Sequence, residues 1–126
     1  MKPPCEIVVS KILPAIRASL AKTLVERGMQ QKEVAEMLGI TQPAVSQYLS
    51  AARGADQRLL QTFPEINRYA EEMAEKVIGG ERREMYITYL CKICRRIRTD
   101  KKFCDLYKQL ANLEECGICY EEDSQC

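Results

Sequence analysis

The stretch QKEVAEMLGITQPAVSQYLS, from Gln31 to Ser50, decides how the chain folds. Val34, Ala35 and Leu38 recur at helical spacing, and Glu33 follows three residues after Gln30, where it would complete a weak capping box. Gly39 stops that pattern. The residue just past a helix end often takes a left-handed backbone, which glycine adopts without steric cost, and Ile40 can then fold back onto the core. Thr41 is a good N-cap for a second helix, and Pro43 is tolerated in a first turn, where its missing N–H would have no helical partner. The result is a helix-turn-helix. On its second helix Val45, Tyr48 and Leu49 share one face, while Gln42, Pro43, Ser46 and Gln47 share the other. Glutamine can pair with adenine N6 and N7, serine bonds several base edges, and proline or alanine can touch a thymine methyl. A helical hairpin with a merely solvated polar face has the same periodicity, so periodicity alone leaves both open.

Working outward, Pro3 and Pro4 predict an extended start, and Cys5, far in sequence from the other cysteines, is expected to be a small buried hydrophobe. From Pro14 the stripe Ile16, Leu20, Leu24 predicts a helix that ends at Gly28 and backs the motif. After Leu49, SAARGADQ is expected to be a loop in which Arg53 is either a phosphate contact or a solvated side chain, with a helix starting after Asp56. Thr62 and Pro64 introduce a helix with Ile66, Tyr69, Ala70, Met73 and Val77 on one face, closed by Gly79 and Gly80. That face should either cover the motif or pair with its copy in a dimer. Glu81 to Arg98 predicts a further helix with Met85, Tyr89, Leu90, Ile93 and Ile97 inward. Lys101 to Leu113 continues through Phe103, Leu106, Tyr107, Leu110 and Leu113. Lys92, Arg95, Arg96, Arg98, Lys101 and Lys102 stand against Asp100 as a local basic patch, either a second phosphate contact or a solvated face.

The 126 residues, 46% of them apolar, suffice for one modest core. No apolar run approaches membrane-spanning length and no signal-peptide pattern opens the chain, so a cytoplasmic protein with no membrane partner is expected. A net charge of +1 argues for locally placed positive charge rather than a general basic coat. The chain has no histidine, which removes histidine acid–base, triad and metal-ligand chemistry and with it most enzymatic readings.

Seven cysteines in such a protein point to metal or redox chemistry before a disulfide framework. Cys91, Cys94, Cys104, Cys116 and Cys119 follow C-x2-C-x9-C-x11-C-x2-C, with Cys126 beyond them. Cys91 and Cys94, at i and i+3, project from one side of a helix. Zinc would take Cys91, Cys94, Cys116 and Cys119 tetrahedrally, but 21 residues separate the pairs and look helical where a zinc ribbon needs strands. An iron–sulfur cluster accepts four thiolates at looser spacing and suits a helical frame with Cys104 nearby. A thiol-redox or merely structural role also stays open, whereas a thioredoxin-like one is disfavoured because no βαβ pattern surrounds the pairs.

Gln31, Ala35, Gly39, Ile40, Val45 and Tyr48, at their spacing, resemble the DNA-binding unit of phage repressors, Cro proteins and the wider Xre-like regulators. The segment PPCEIVVSKILPAIRASLAKTLVERG with this motif also resembles a group of archaeal predicted transcriptional regulators, whose longer members carry a ligand-binding domain that does not follow here. The resemblance implies double-stranded operator DNA as partner. It implies base contacts from Gln42, Ser46 and Gln47, and a phosphate contact from Gln31, which would also brace Gln42. Thr41, Pro43 and Arg53 complete the expected DNA surface. Gln30 departs from the serine or threonine common at its position. The expected fold is all-α: a repressor-like helix-turn-helix domain over 1–56, a connecting or dimerisation helix over 57–80, and a helical cysteine-rich, metal-binding module over 81–126. The expected function is a transcriptional regulator, acting as a homodimer, whose cysteines sense redox state, oxygen or iron. A repressor with a structural zinc tail and a small metal or redox adaptor are the alternatives.

Overall fold

This computed structural model describes residues 4–50 and 57–111, and every regular element among them is helical. Of the sequence expectations, Pro3, Arg53, Leu113, Cys116, Cys119 and Cys126 lie outside the described residues. From Pro4 onward the chain is helical where an extended segment was expected. Helix α1 (Pro4–Ile7) runs through a π-helical turn, Val8–Ile12, into α2 (Leu13–Glu26). Pro4 can open a helix because the first N–H of a helix has no intrahelical acceptor anyway. The π turn has a similar local cause. In a regular α-helix the ring of Pro14 would meet the carbonyl four residues back; widening the preceding turn relieves this, and Leu13 N–H bonds to Val8 O instead.

Ile12, Ile16, Leu20 and Leu24 repeat every fourth residue along this rod and are wholly buried, each worth about 1.5–3 kcal/mol of burial. Helix α3 (Gln31–Leu38) and helix α4 (Gln42–Leu49) lean on one side of α2, and α5 (Gln57–Thr62) leads through the buried Phe63 to α6 (Glu65–Ile78). The most extensive helix–helix packing is that of α2 with α6. Ser19 Oγ donates to Asn67 Oδ1 at 2.7 Å, and Arg27 Nη2 lies 3.9 Å from Glu75 Oε1. Both pairs have the same sequence offset, so the two helices run in the same direction. These exposed polar contacts mark register; the holding is done by Ile66, Tyr69, Ala70, Met73 and Ala74, all buried, with the small Ala70 and Ala74 permitting close approach. The apolar face of α6 is therefore covered by α2 within one chain, the first of the two roles expected for it.

After the Gly79–Gly80 turn, α7 (Arg83–Arg98) packs back on α6, and α8 (Lys101–Ala111) follows. The inward side of α7 is Tyr86, Tyr89, Leu90, Ile93, Cys94 and Ile97. Met85 was expected inside and is instead 43% exposed, because it shares a side of the helix with Lys92 and Arg96 while Tyr86 turns inward. Leu110 is also exposed, while Phe103, Cys104 and Tyr107 bury the inner face of α8. Two members of the basic patch are used within the fold. Arg98 is only 4% exposed. Lys102 Nζ lies 3.3 Å from Glu65 Oε1 and 5.1 Å from the Phe63 ring centre, fastening the start of α8 to the start of α6.

The α3–α4 turn closes as its sequence dictates. Gly39 has φ +68°, and Ile40 N–H bonds Ala35 O at 3.0 Å, satisfying a carbonyl that the helix end would orphan. Gln30 caps α3 with backbone alone and Glu33 makes no return bond to it, so the capping box does not form. A Cβ built on Gly39 meets no atom within 4 Å, so the cost of a side chain there is backbone strain and not collision. Gly39→Ala is expected to lower unfolding free energy by about 1–2 kcal/mol in urea melts, and Gly39→Asn by less; equal stability of all three would contradict a left-handed requirement at this position.

A second expectation comes from the α6–α7 contact, where the Tyr89 hydroxyl donates to Glu72 Oε2 and Lys76 Nζ sits 5.4 Å from the ring centre. Burial, reinforced by the hydrogen bond and by the Glu72 charge, pushes the Tyr89 phenol from 10 up to about 12. The folded state then holds this proton more tightly than the unfolded chain. The stabilisation is fully present below pH 10 and is lost as pH rises towards about 12. Urea titrations of wild type and Tyr89→Phe should converge across that window; a difference independent of pH would mean that the proton is not shared.

Candidate nucleic-acid interface

Each side chain of the expected base-reading set is positioned by a short rigid helix. Thr41 has an extended backbone, and its Oγ1 accepts the Ala44 N–H at 3.2 Å, which fixes the first turn of α4. Ala44, Val45 and Tyr48 are buried, whereas Gln42, Pro43, Ser46 and Gln47 are exposed together on the opposite side. Val45 and Tyr48 belong to the same core as Ile16, Leu20 and Leu24 of α2, so the exposed face is held by packing behind it. Ala35, 5% exposed, stands where α3 meets α4, a position at which a larger side chain would push the helices apart. Gln31 opens α3 half-buried. The helix dipole of α4 puts positive partial charge at the end that carries Gln42 and Pro43, suited to an anionic backbone. Amide, hydroxyl and pyrrolidine groups on one rigid face can meet base edges in a groove wide enough for a helix.

The other members of the basic patch, Lys92, Arg95, Arg96 and Lys101, are all exposed on α7 and at the start of α8. With Arg98 buried and Lys102 paired with Glu65, the patch is smaller than its sequence suggests.

The cysteines separate by environment. Cys91 is exposed, Cys94 is buried beside it at the inner edge of α7, and Cys104 is wholly buried in the core under α8. Among the described residues no group of three or more Cys, Asp or Glu side chains is placed to hold a metal ion, so Cys104 is not brought together with Cys91 and Cys94. Its surroundings fit a small apolar core residue. Cys5, expected to be a small buried hydrophobe, is half-buried and lines one cleft with Cys91 and Cys94, because the π turn that follows it lies against α7.

Sequence reasoning missed one link, between α7 and α2. The Tyr86 hydroxyl is buried beside the Arg17 guanidinium of α2. Burial raises the Tyr86 phenol above its usual range and the Arg17 charge partly opposes this. Arg17 sits one residue after the apolar Ile16, where a helical wheel makes it a solvated flank. Only the docking of α7 reveals its neighbour.

No helix among the described residues is long and apolar enough to cross a membrane. No curated protein and no solved structure matches the chain. Residues 20–65 match the family model described as helix-turn-helix, which spans the second half of α2, all of α3, α4 and α5, and the start of α6.

Proposed function

We propose that the protein is a sequence-specific DNA-binding transcriptional regulator whose cysteine-bearing C-terminal region reports redox state, oxygen or iron to the DNA-binding helix. The observation that carries the DNA half is the exposed face of α4, Gln42, Pro43, Ser46 and Gln47, seated by Thr41 and by the buried Val45 and Tyr48 within a matched helix-turn-helix. In this reading Gln42, Ser46 and Gln47 contact base edges, Pro43 a thymine methyl, and Gln31, Thr41 and Arg53 the phosphate backbone. Such domains commonly act on two half-sites about 34 Å apart, which favours a homodimer. Since α6 spends its apolar face on α2, a dimer would use other surface, and Ile78 and Met85 stand exposed on either side of the Gly79–Gly80 turn.

The sensing half rests on the donor set. Cys91 and Cys94 offer two sulfurs from one side of α7, and Cys116 and Cys119 would supply the other two, with Cys104 left in the core. Four thiolates would hold an iron–sulfur cluster, or zinc in the structural alternative, and an iron–sulfur cluster supplies one-electron chemistry sensitive to oxidants. Cys94 shares α7 with Tyr86, which is buried beside Arg17 of α2, and α2 in turn carries α4. A change in the seating of α7 therefore has a short packed route to the helix that meets DNA.

Gln42→Ala and Gln47→Ala should each lose about 1–3 kcal/mol of discrimination between a selected operator and a scrambled duplex, with non-specific binding nearly unchanged. Competition titrations at fixed salt measure this, and unaltered discrimination in both variants would reject the recognition face. Cys91→Ser and Cys116→Ser should both reduce the metal retained on anaerobic purification and shift operator affinity by a coupling of about 1–3 kcal/mol. Metal-free protein with wild-type operator affinity would remove the sensing role and leave the DNA-binding role standing.

A further inference from the structure

Ser10, Pro14 and Arg17 fall at i, i+4 and i+7, and so line one side of the rod formed by the π turn and α2. Across from them stand Thr41 and Ala44 at the start of α4, with Tyr48 one turn further on. Between the two walls lies an open cleft of about 630 Å³. Arg17 is the one charged side chain among the described residues that line it, and no acidic residue is among them. Its guanidinium is under-satisfied. The Nε is buried without a hydrogen-bond partner, and no carboxylate among the described residues pairs with it. The Tyr86 hydroxyl packed beside it is a neutral group and leaves the charge unbalanced. Thr41 Oγ1 accepts the Ala44 N–H, which leaves its own O–H to donate, and Ser10 is exposed.

We propose that this cleft seats one phosphate of the DNA backbone, held by the Arg17 guanidinium with the Ser10 and Thr41 hydroxyls. The proposal rests on the DNA-binding reading of α4 and extends the contact to α2 and the π turn, outside the helix-turn-helix itself. Ala44 and Tyr48 each follow a member of the exposed face, Pro43 and Gln47, so the cleft runs along the edge of that face. A groove that admits a helix is walled by phosphate strands, and a donor-lined cleft beside the reading face is where one strand passes. A planar guanidinium matches phosphate oxygens with paired hydrogen bonds. Arg17 stands behind the exposed Gln42, Ser46 and Gln47, half-buried against Tyr86, which suits it to position the duplex and not to read it.

The test uses the full chain, a duplex selected from random sequence and a scrambled duplex. Arg17→Gln should weaken both by about tenfold at fixed salt, keep the discrimination between them, and lower the salt slope of binding by about 0.9. Ser10→Glu, at an exposed position, should keep the wild-type melting temperature and weaken both duplexes alike; it takes the place of Arg17→Gln if that variant fails to fold. Single methylphosphonate linkages remove one backbone charge at a time. One flanking linkage should weaken wild type by about tenfold and Arg17→Gln no further. Inorganic phosphate at constant ionic strength should not compete, and competition would assign the cleft to a free anion and overturn the proposal. An unchanged salt slope in Arg17→Gln, unaltered binding in Ser10→Glu, discrimination lost in Arg17→Gln, or no linkage whose effect depends on Arg17 would each overturn it as well. Gln42→Ala is measured alongside: discrimination lost there, with the Arg17→Gln slope unchanged, removes the phosphate seat and leaves the recognition face standing. Failure to bind either duplex removes both.

Discussion

The parallel packing of α2 against α6 is the constraint on which the other helices depend. Two helices that run the same way cannot be joined by a tight turn, so the chain between them must travel back along the bundle. That return is made by α3, α4 and the segment through α5. The helix-turn-helix is thus the connection that lets α2 and α6 lie side by side, and each of its helices buries one face against the rod they form. The energetic weight lies in the wholly buried Ile16, Leu20, Leu24, Ile66 and Ala70, while the Ser19–Asn67 and Arg27–Glu75 contacts choose the register.

This arrangement explains why a modest stretch of eight residues can present a defined chemical face. Helix α4 is too short to be stable alone in water. Its Thr41 cap, the left-handed Gly39 before it, and Val45 and Tyr48 beneath it leave little freedom to tilt or slide. The exposed amides are consequently pre-oriented, which limits the ordering cost of binding. The same logic extends to α7. Tyr86 is buried beside Arg17 of α2, so the C-terminal helices share the core that supports α4 and do not hang from it.

Much of this was legible in the sequence because local chemistry decided it. Gly39, Thr41 and the alternation of buried and exposed positions from Gln42 to Leu49 each have one good structural solution, and the stripe of α6 stated its own helix. What escaped depended on partners distant in the chain. Met85 and Leu110 fit a helical stripe on paper, but one rotation of each helix serves the core better with Tyr86, Ile93, Phe103 and Tyr107 inward. Pro4 and Pro14 were signals of extension and of a helix start, yet a π turn lets one helical rod pass through Pro14. Arg98 and Lys102 counted as surface charge until Arg98 was buried and Lys102 met Glu65. Cys5 seemed isolated because sequence distance hides the contact of the N-terminal turn with α7.

The central claim is that α4 meets DNA through the face bearing Gln42, Ser46 and Gln47 while its other face stays packed on α2. Hydrogen–deuterium exchange on the full chain, with and without a duplex selected from random sequence, addresses it directly. Bound DNA should slow exchange most at amides of the α3–α4 turn and the first turn of α4, with Ile16 to Leu24 of α2 changing little because they are already buried. Protection confined to α7 and α8, with α4 exchanging as in the free protein, would contradict the claim.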